Sequence, residues 1–146
     1  MRFPNYFDDG YLQQGYVAAV PRLHGALRFT FRPTLVEERS HLVDAARQLQ
    51  SAAYDRHAAQ FTAAKLVSWD LRDSAGDEVP FSAEALLRLQ PELFVKLHRT
   101  VAGWLPSDVD PAWDDETRLP ALDAEAAAVL AGRPVGDWLQ ESREKN

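Results

Sequence analysis

From Leu23 to Arg32 the side chains alternate. Leu23, Gly25, Leu27, Phe29 and Phe31 fall on one side, and His24, Ala26, Arg28, Thr30 and Arg32 on the other. Period two predicts a strand with one wet face. Pro33 has no N–H with which to continue a ladder and ends it. From Thr34 the period lengthens. Thr34 with Glu37 three residues on has the spacing of a capping box, and Glu37 and Glu38 put negative charge where a helix dipole favours it. Leu42, Ala46, Leu49 and Ala53 recur at three- and four-residue steps, continued less regularly by Phe61 and Ala64. Residues 35–65 contain neither Gly nor Pro, so the pattern predicts one long amphipathic helix. Its stripe is rich in alanine, which buries little area per residue. That face needs a partner.

Val67, Trp69 and Leu71 alternate with Ser68, Asp70 and Arg72, a second half-buried strand. Residues 73–77 supply a turn, with Gly76 suited to positive φ, and Val79 and Phe81 resume the alternation across Pro80. This reads as a hairpin or an extended return arm, confined to an edge by the proline. Ser82 predicts the N-cap of a short helix over 83–89. Pro91 predicts the first turn of another, with Leu93, Leu97, Val101 and Trp104 on one stripe, Phe94 beside it and Gly103 near its end.

The flanks differ from this core. Residues 1–22 lack clear periodicity and read as an arm. Residues 107–125 hold seven acidic side chains against the single base Arg118, punctuated by Pro111 and Pro120, which reads as an acidic linker. Asp123 is placed to cap a helix over 124–131, and Val135, Trp138 and Leu139 form an isolated apolar cluster in the tail. The expected fold is α+β: a mostly helical single domain with a small antiparallel β element and an extended acidic C-terminal segment. The expected division is an arm at 1–22, a core domain at 23–105 and the acidic linker, short helix and tail at 106–146. Phe29, Phe31, Trp69, Leu97 and Trp104 are the expected core.

Composition narrows the function classes. The chain has 146 residues, enough for one domain, and 46% are hydrophobic, enough for a core. It has no cysteine, which excludes disulfides, thiolate catalysis and Cys-based metal sites. Its 22 acidic against 16 basic residues give a formal charge of −6, and the bases do not cluster, which argues against nucleic acid as a partner. Asn5, Asp8, Asp9, Gln13 and Gln14 interrupt any apolar leader, and no apolar run nears the roughly 20 residues that span a bilayer. The expectation is a soluble, cytoplasmic protein with no membrane partner.

Residue types with catalytic potential do not converge. His24, His41, His57 and His98 lack a second ligand at helical spacing, so no metal site is expected and each reads as a surface or interface residue. Gly10, Gly15 and Gly25 are too scattered for a phosphate loop, and no cofactor is expected. Glu37–Glu38 and Asp114–Asp115 are better explained by a helix dipole and a solvated linker than by acid–base catalysis. Ser68, Ser74 and Ser82 lack a nucleophile elbow. Arg28 and Arg32 alternate with Phe29 and Phe31, but on the opposite face, so solvent above and core below explains them. The expectation is a non-enzyme. Trp113 and Trp138 sit in a polar, proline-punctuated stretch, either as anchors for a partner or folded back on the domain.

The order of these elements resembles a family. Phe29-Thr30-Phe31-Arg32-Pro33, a long helix, Lys65-Leu66-Val67-Ser68-Trp69-Asp70-Leu71, a Gly-containing turn, Val79-Pro80-Phe81-Ser82 and Leu89-Gln90-Pro91 are similar to the tail assembly chaperones of long-tailed bacteriophages and prophages. The likeness covers residues 23–105. It implies a non-catalytic protein of the host cytoplasm that coats the helical tape measure protein until tail tube subunits polymerise around it, and is then displaced. Its partners would be the tape measure and tail tube proteins, with self-association as a further option. An amphipathic helix beside a Leu/Trp helix offers a groove for another amphipathic helix. The expected partner-binding residues are Leu42, Leu49, Phe61, Trp113, Trp138 and Leu139. The alternative is a structural interaction module retained in the particle, as a minor tail or head–tail component.

Overall fold

The computed structural model describes residues 3–113. In chain order the elements are β1 (Gln13–Val17), β2 (Leu27–Phe31), α1 (Val36–Gln48), α2 (Ser51–Lys65), β3 (Leu66–Trp69), α3 (Ala83–Leu86) and α4 (Pro91–Ala102). The fold is α+β. Its three strands form one antiparallel sheet in the order β1-β2-β3. Residues 7–110 make one compact unit, and residues 3–6 and 111–113 belong to a second.

β2 is central and alternates as its sequence predicts: Leu27, Phe29 and Phe31 are buried and Arg28 is exposed. It is shorter than the pattern, because residues 20–24 turn back on themselves through a Val20–His24 bridge, with Arg22 at φ 69. Its neighbour β1 lies inside the predicted arm, so the core begins at least ten residues earlier than position 23. β1 has no alternation to read because its second half is covered on both sides: Gly15, Tyr16 and Val17 are buried in succession, and only Gln14 is exposed.

A bulge sets the phase of β3. Thr30 pairs with Ser68 and Phe31 with Leu66, leaving Val67 as the extra residue. Leu66 is therefore buried where the alternation had pointed to Val67. Beyond β3 the return arm forms as expected. Arg72 bridges Glu78, Gly76 turns at φ 87, and the Trp69 indole N–H donates to Val79 O at 2.6 Å while its ring meets Phe81 edge-on.

The predicted long helix is two helices. The backbone leaves α1 at Leu49 (φ −103, ψ 146) and stays extended through Gln50 before α2 begins. No Gly or Pro marks the break, and tertiary packing explains it. A straight helix over 35–65 would reach about 45 Å. Here α1 buries Leu42 and packs on α2, whereas α2 buries Ala58, Ala59 and Thr62 against α3 and α4. The N-cap also moves by one residue. Leu35 occupies it, its N–H donating to Glu38 Oε1 at 2.8 Å, while the Thr34 hydroxyl donates to Val101 O.

The later signals hold. Ser82 Oγ accepts from Ala85 N–H, Pro91 opens α4, and Gly103 closes it at φ 86. Leu93, Leu97 and Val101 join Val17, Leu27, Phe29, Phe31 and Leu86 in one core. Full burial of each such aliphatic side chain contributes ~2 kcal/mol. Trp104 does not join them: it is 38% exposed, because the left-handed Gly103 ends the helical spacing before it. Asp108 and Asp110, read as the start of a solvated linker, are fixed in the domain, by Lys96 and Arg28 respectively. The predicted helix at 124–131 and most of the acidic segment lie outside the described residues.

Candidate functional site

The most chemically distinctive site lies where α2 and α4 pack. Tyr54, Ala58 and Thr62 recur at four-residue steps along one face of α2. Ala58 and Thr62 are buried, and the small Ala58 side chain between two hydroxyl-bearing residues leaves room for a group from α4. That group is His98. It is 5% exposed, with Nε2 3.1 Å from the Tyr54 hydroxyl and Nδ1 3.0 Å from Thr62 Oγ1. A neutral imidazole has one N–H, so one hydroxyl accepts from the ring and the other donates to it.

Aromatic rings complete the surroundings. Phe94, one turn back on α4, stacks on the imidazole at 6.2 Å. Phe61 and Trp104 meet it edge-on at 6.4 and 5.9 Å. Burial pushes the His98 pKa down to about 4, and the positive charge of Arg99 and His57 adds to the effect. Burial likewise raises the Tyr54 phenol above its ordinary value, opposed by Arg99 and reinforced by Asp55. At neutral pH His98 is therefore an uncharged bridge between two helices. Both its nitrogens are already engaged by the protein.

Beside this bridge opens a groove of about 390 Å³. Tyr54 and Asp55 of α2 form one wall, Phe94, Val95 and Arg99 of α4 the other, and Trp104 lies at one end. Its apolar lining combines the rings of Tyr54, Phe94 and Trp104 with the aliphatic Ala46, Val95 and Leu105, while a carboxylate and a guanidinium flank it. A cleft of this size takes one bulky side chain or a small molecule. Among the described residues no group of three or more His, Asp or Glu side chains converges to hold a metal ion. No helix among them is long and apolar enough to cross a membrane.

The residues expected to bind a partner are placed differently from one another. Leu42 is 1% exposed, so it is a core residue that a partner cannot reach. Leu49 caps α1 and is exposed. Phe61 is half-buried against His98, with the Lys65 ammonium 5.9 Å from its ring. Trp113 is half-buried, its ring 6.1 Å from that of Phe3. Trp138 and Leu139 lie outside the described residues.

His98 corrects the expectation that all four histidines are surface or interface residues. The signal was present in the stripe of α4, where His98 follows Leu97 and sits one turn from Phe94. A matching row of Tyr54, Ala58 and Thr62 stood on α2, but only the packing of α2 against α4 joins the two. Comparison of the chain with protein-family models, with curated proteins and with solved structures finds no match.

Proposed function

We propose that the protein is a non-catalytic tail assembly chaperone of a long-tailed phage or prophage, binding the helical tape measure protein and assisting recruitment of tail tube subunits. The observation that supports this reading is the aromatic groove between α2 and α4. Tyr54, Phe94 and Trp104 offer apolar surface for one large side chain of a partner helix, the mode in which amphipathic helices dock. Arg99 and Asp55 at the rim set the register of charges on that helix. The neutral His98 bridge behind the groove keeps its walls at fixed separation without placing a charge beneath an apolar ligand.

Two measurements test this. The first is co-expression with the tape measure protein from the same genome. The pair is expected to co-purify, and Trp104→Ala with Phe94→Ala is expected to weaken the complex at least about tenfold, as loss of aromatic anchors does. A tape measure protein that remains insoluble and unbound overturns the reading. The second is the composition of purified particles. A chaperone is missing from them, whereas a chain retained in stoichiometric amount is a minor tail or head–tail component.

A further inference from the structure

A second pocket, of about 320 Å³, opens where the first turn of α1 meets the ends of β2 and α4. Phe7, Phe31, Pro33, Val36, Leu105 and Pro106 give it an apolar lining. Of the polar side chains that border it, two are already engaged. The Thr34 hydroxyl donates to Val101 O, and Ser107 Oγ accepts from Tyr16 N–H. Arg39, Gln13 and Thr100 remain.

None of the residues lining the pocket is acidic, and Arg39 brings it a positive charge. Arg39 Nη1 donates to Gly103 O at 3.2 Å, which uses one N–H of the guanidinium fork and leaves the others open. Glu38, the carboxylate next to it in the chain, is held elsewhere by the Lys65 ammonium and the Leu35 N–H. The first turn of α1 adds the positive end of a helix, and Leu35 at its N-cap has no side-chain oxygen to offer those N–H groups. Among the described residues the Gln13 side-chain amide makes no hydrogen bond. Thr100 stands one turn before the glycine that Arg39 holds, its backbone O accepting from Gly103 N–H at 3.1 Å. Thr100 is 4% exposed, and its Oγ1 has no partner. A hydroxyl so placed carries a desolvation cost that a hydrogen-bonding ligand relieves.

We infer that this pocket is a binding site for a small monocarboxylic acid with an apolar body, an aryl or medium-chain alkyl acid. The carboxylate pairs with the open side of the Arg39 guanidinium, since a planar fork of donors matches two oxygens. Gln13 and Thr100 supply further hydrogen bonds, and the body lies against the apolar lining. Val36, 79% exposed, offers bare apolar surface at the mouth for that body to cover. The volume suits one such molecule, at the lower end of the range for small-ligand pockets. Of the lining residues, only Leu105 also borders the groove beside His98, and the inference is independent of the tail-assembly reading.

The test is an NMR titration of the full chain with hydrocinnamate and with its uncharged amide, hydrocinnamamide, at millimolar concentration. The acid is expected to shift the backbone amides of Val36, Thr100 and Gly103 and the side-chain amide of Gln13 saturably. The uncharged probe is expected to bind at least about tenfold more weakly, as loss of a charge-assisted hydrogen-bonded pair does. Arg39→Met, which keeps the apolar stem, is expected to weaken the acid by the same factor and to leave the uncharged probe unchanged. Thr100→Val is expected to weaken the acid about threefold, the loss of one neutral hydrogen bond, in a protein that stays folded. Phe94→Ala with Trp104→Ala is expected to leave binding of the acid as it is. Acid and amide of equal affinity, an acid that shifts none of these resonances, or an Arg39→Met protein that binds the acid like the wild type overturns the inference. So does a tripeptide ending in phenylalanine that binds more tightly than the free acid. Should Arg39→Met unfold, the acid-to-amide ratio and the Thr100→Val protein decide the matter by the same titration.

Discussion

Gly15 and Phe29 face each other across β1 and β2, and the Phe29 ring fills the space a Gly15 side chain would need. A Cβ at Gly15 would fall well inside van der Waals contact with ring carbons Cε2 and Cζ. Gly15 is thus required by a close approach. Phe29 is buried, so its ring has nowhere to retreat. Gly15→Ala is expected to cost about 1–3 kcal/mol, the range for overpacking a filled core. Combining it with Phe29→Leu should cost less than the sum of the single changes, because the smaller side chain relieves the clash. Urea unfolding of the four proteins in that cycle checks it.

Two buried threonines should respond in opposite directions to the same change. Thr62 Oγ1 is hydrogen-bonded to His98, so Thr62→Val leaves a ring nitrogen unpaired in the interior. The expected loss is about 1–3 kcal/mol. Thr100 is also buried, but its Oγ1 has no hydrogen-bond partner. Thr100→Val keeps the branched shape, removes the unsatisfied hydroxyl and is expected to stabilise by about 1 kcal/mol. Thermal and urea unfolding read both, and equal effects of the same sign would refute the assignment.

The His98 bridge makes stability depend on mild acid. Its pKa falls from 6.5 in the unfolded chain to about 4 in the folded one. Between those values the unfolded state binds more protons, so stability is full above about pH 6.5 and falls as pH drops toward 4. The loss is on the order of 3 kcal/mol, levelling off once both states are protonated. His98→Gln, which keeps a hydrogen-bonding group without a titrating ring, is expected to flatten this window. Unfolding free energies of the two proteins at pH 7.5, 5.5 and 4 decide it.

Glu38 acts in a lower window. Burial opposes its charge, but the Leu35 N–H and the Lys65 ammonium outweigh that and hold its pKa below the ordinary value. Its contribution is present above the unfolded carboxylate pKa and is lost as pH falls through the depressed one. The carboxylate is 39% exposed, so solvent screening limits the pair. Glu38→Ala is expected to cost ~1 kcal/mol and Glu38→Gln about half of that, since an amide oxygen still accepts from Leu35. Helicity and urea midpoints of the two variants measure the difference.

Much of the fold followed from local chemistry. The alternation of Leu27, Phe29 and Phe31, the Ser82 cap, Pro91 at the start of α4 and Gly103 at its end depend on residues within one or two turns of each other, and the structure carries all of them. Two signals misled, one against a local stop and one against distant packing. Trp104 has the spacing of the α4 stripe, yet the backbone has already left the helix at Gly103. Leu42 has the look of an accessible partner-binding residue, yet it is sealed in the core. In the site, the sequence marks Phe61 as a partner residue but not Tyr54, Thr62 or His98, because each of these is unremarkable until α2 lies against α4.

The sequence by itself determined the α+β class, the central strand, the caps and the hydrophobic stripe of α4, because period, turn chemistry and capping are short-range. Tertiary structure alone decided three things. It broke residues 35–65 into two helices at Leu49, where no local signal stands, so that α2 could pack on α3 and α4. It drew β1 out of an apparently patternless arm, because Gly15, Tyr16 and Val17, buried in succession, leave no alternation to read. And it turned His98 into a neutral bridge, because desolvation depends on what surrounds the ring and not on its neighbours in the chain.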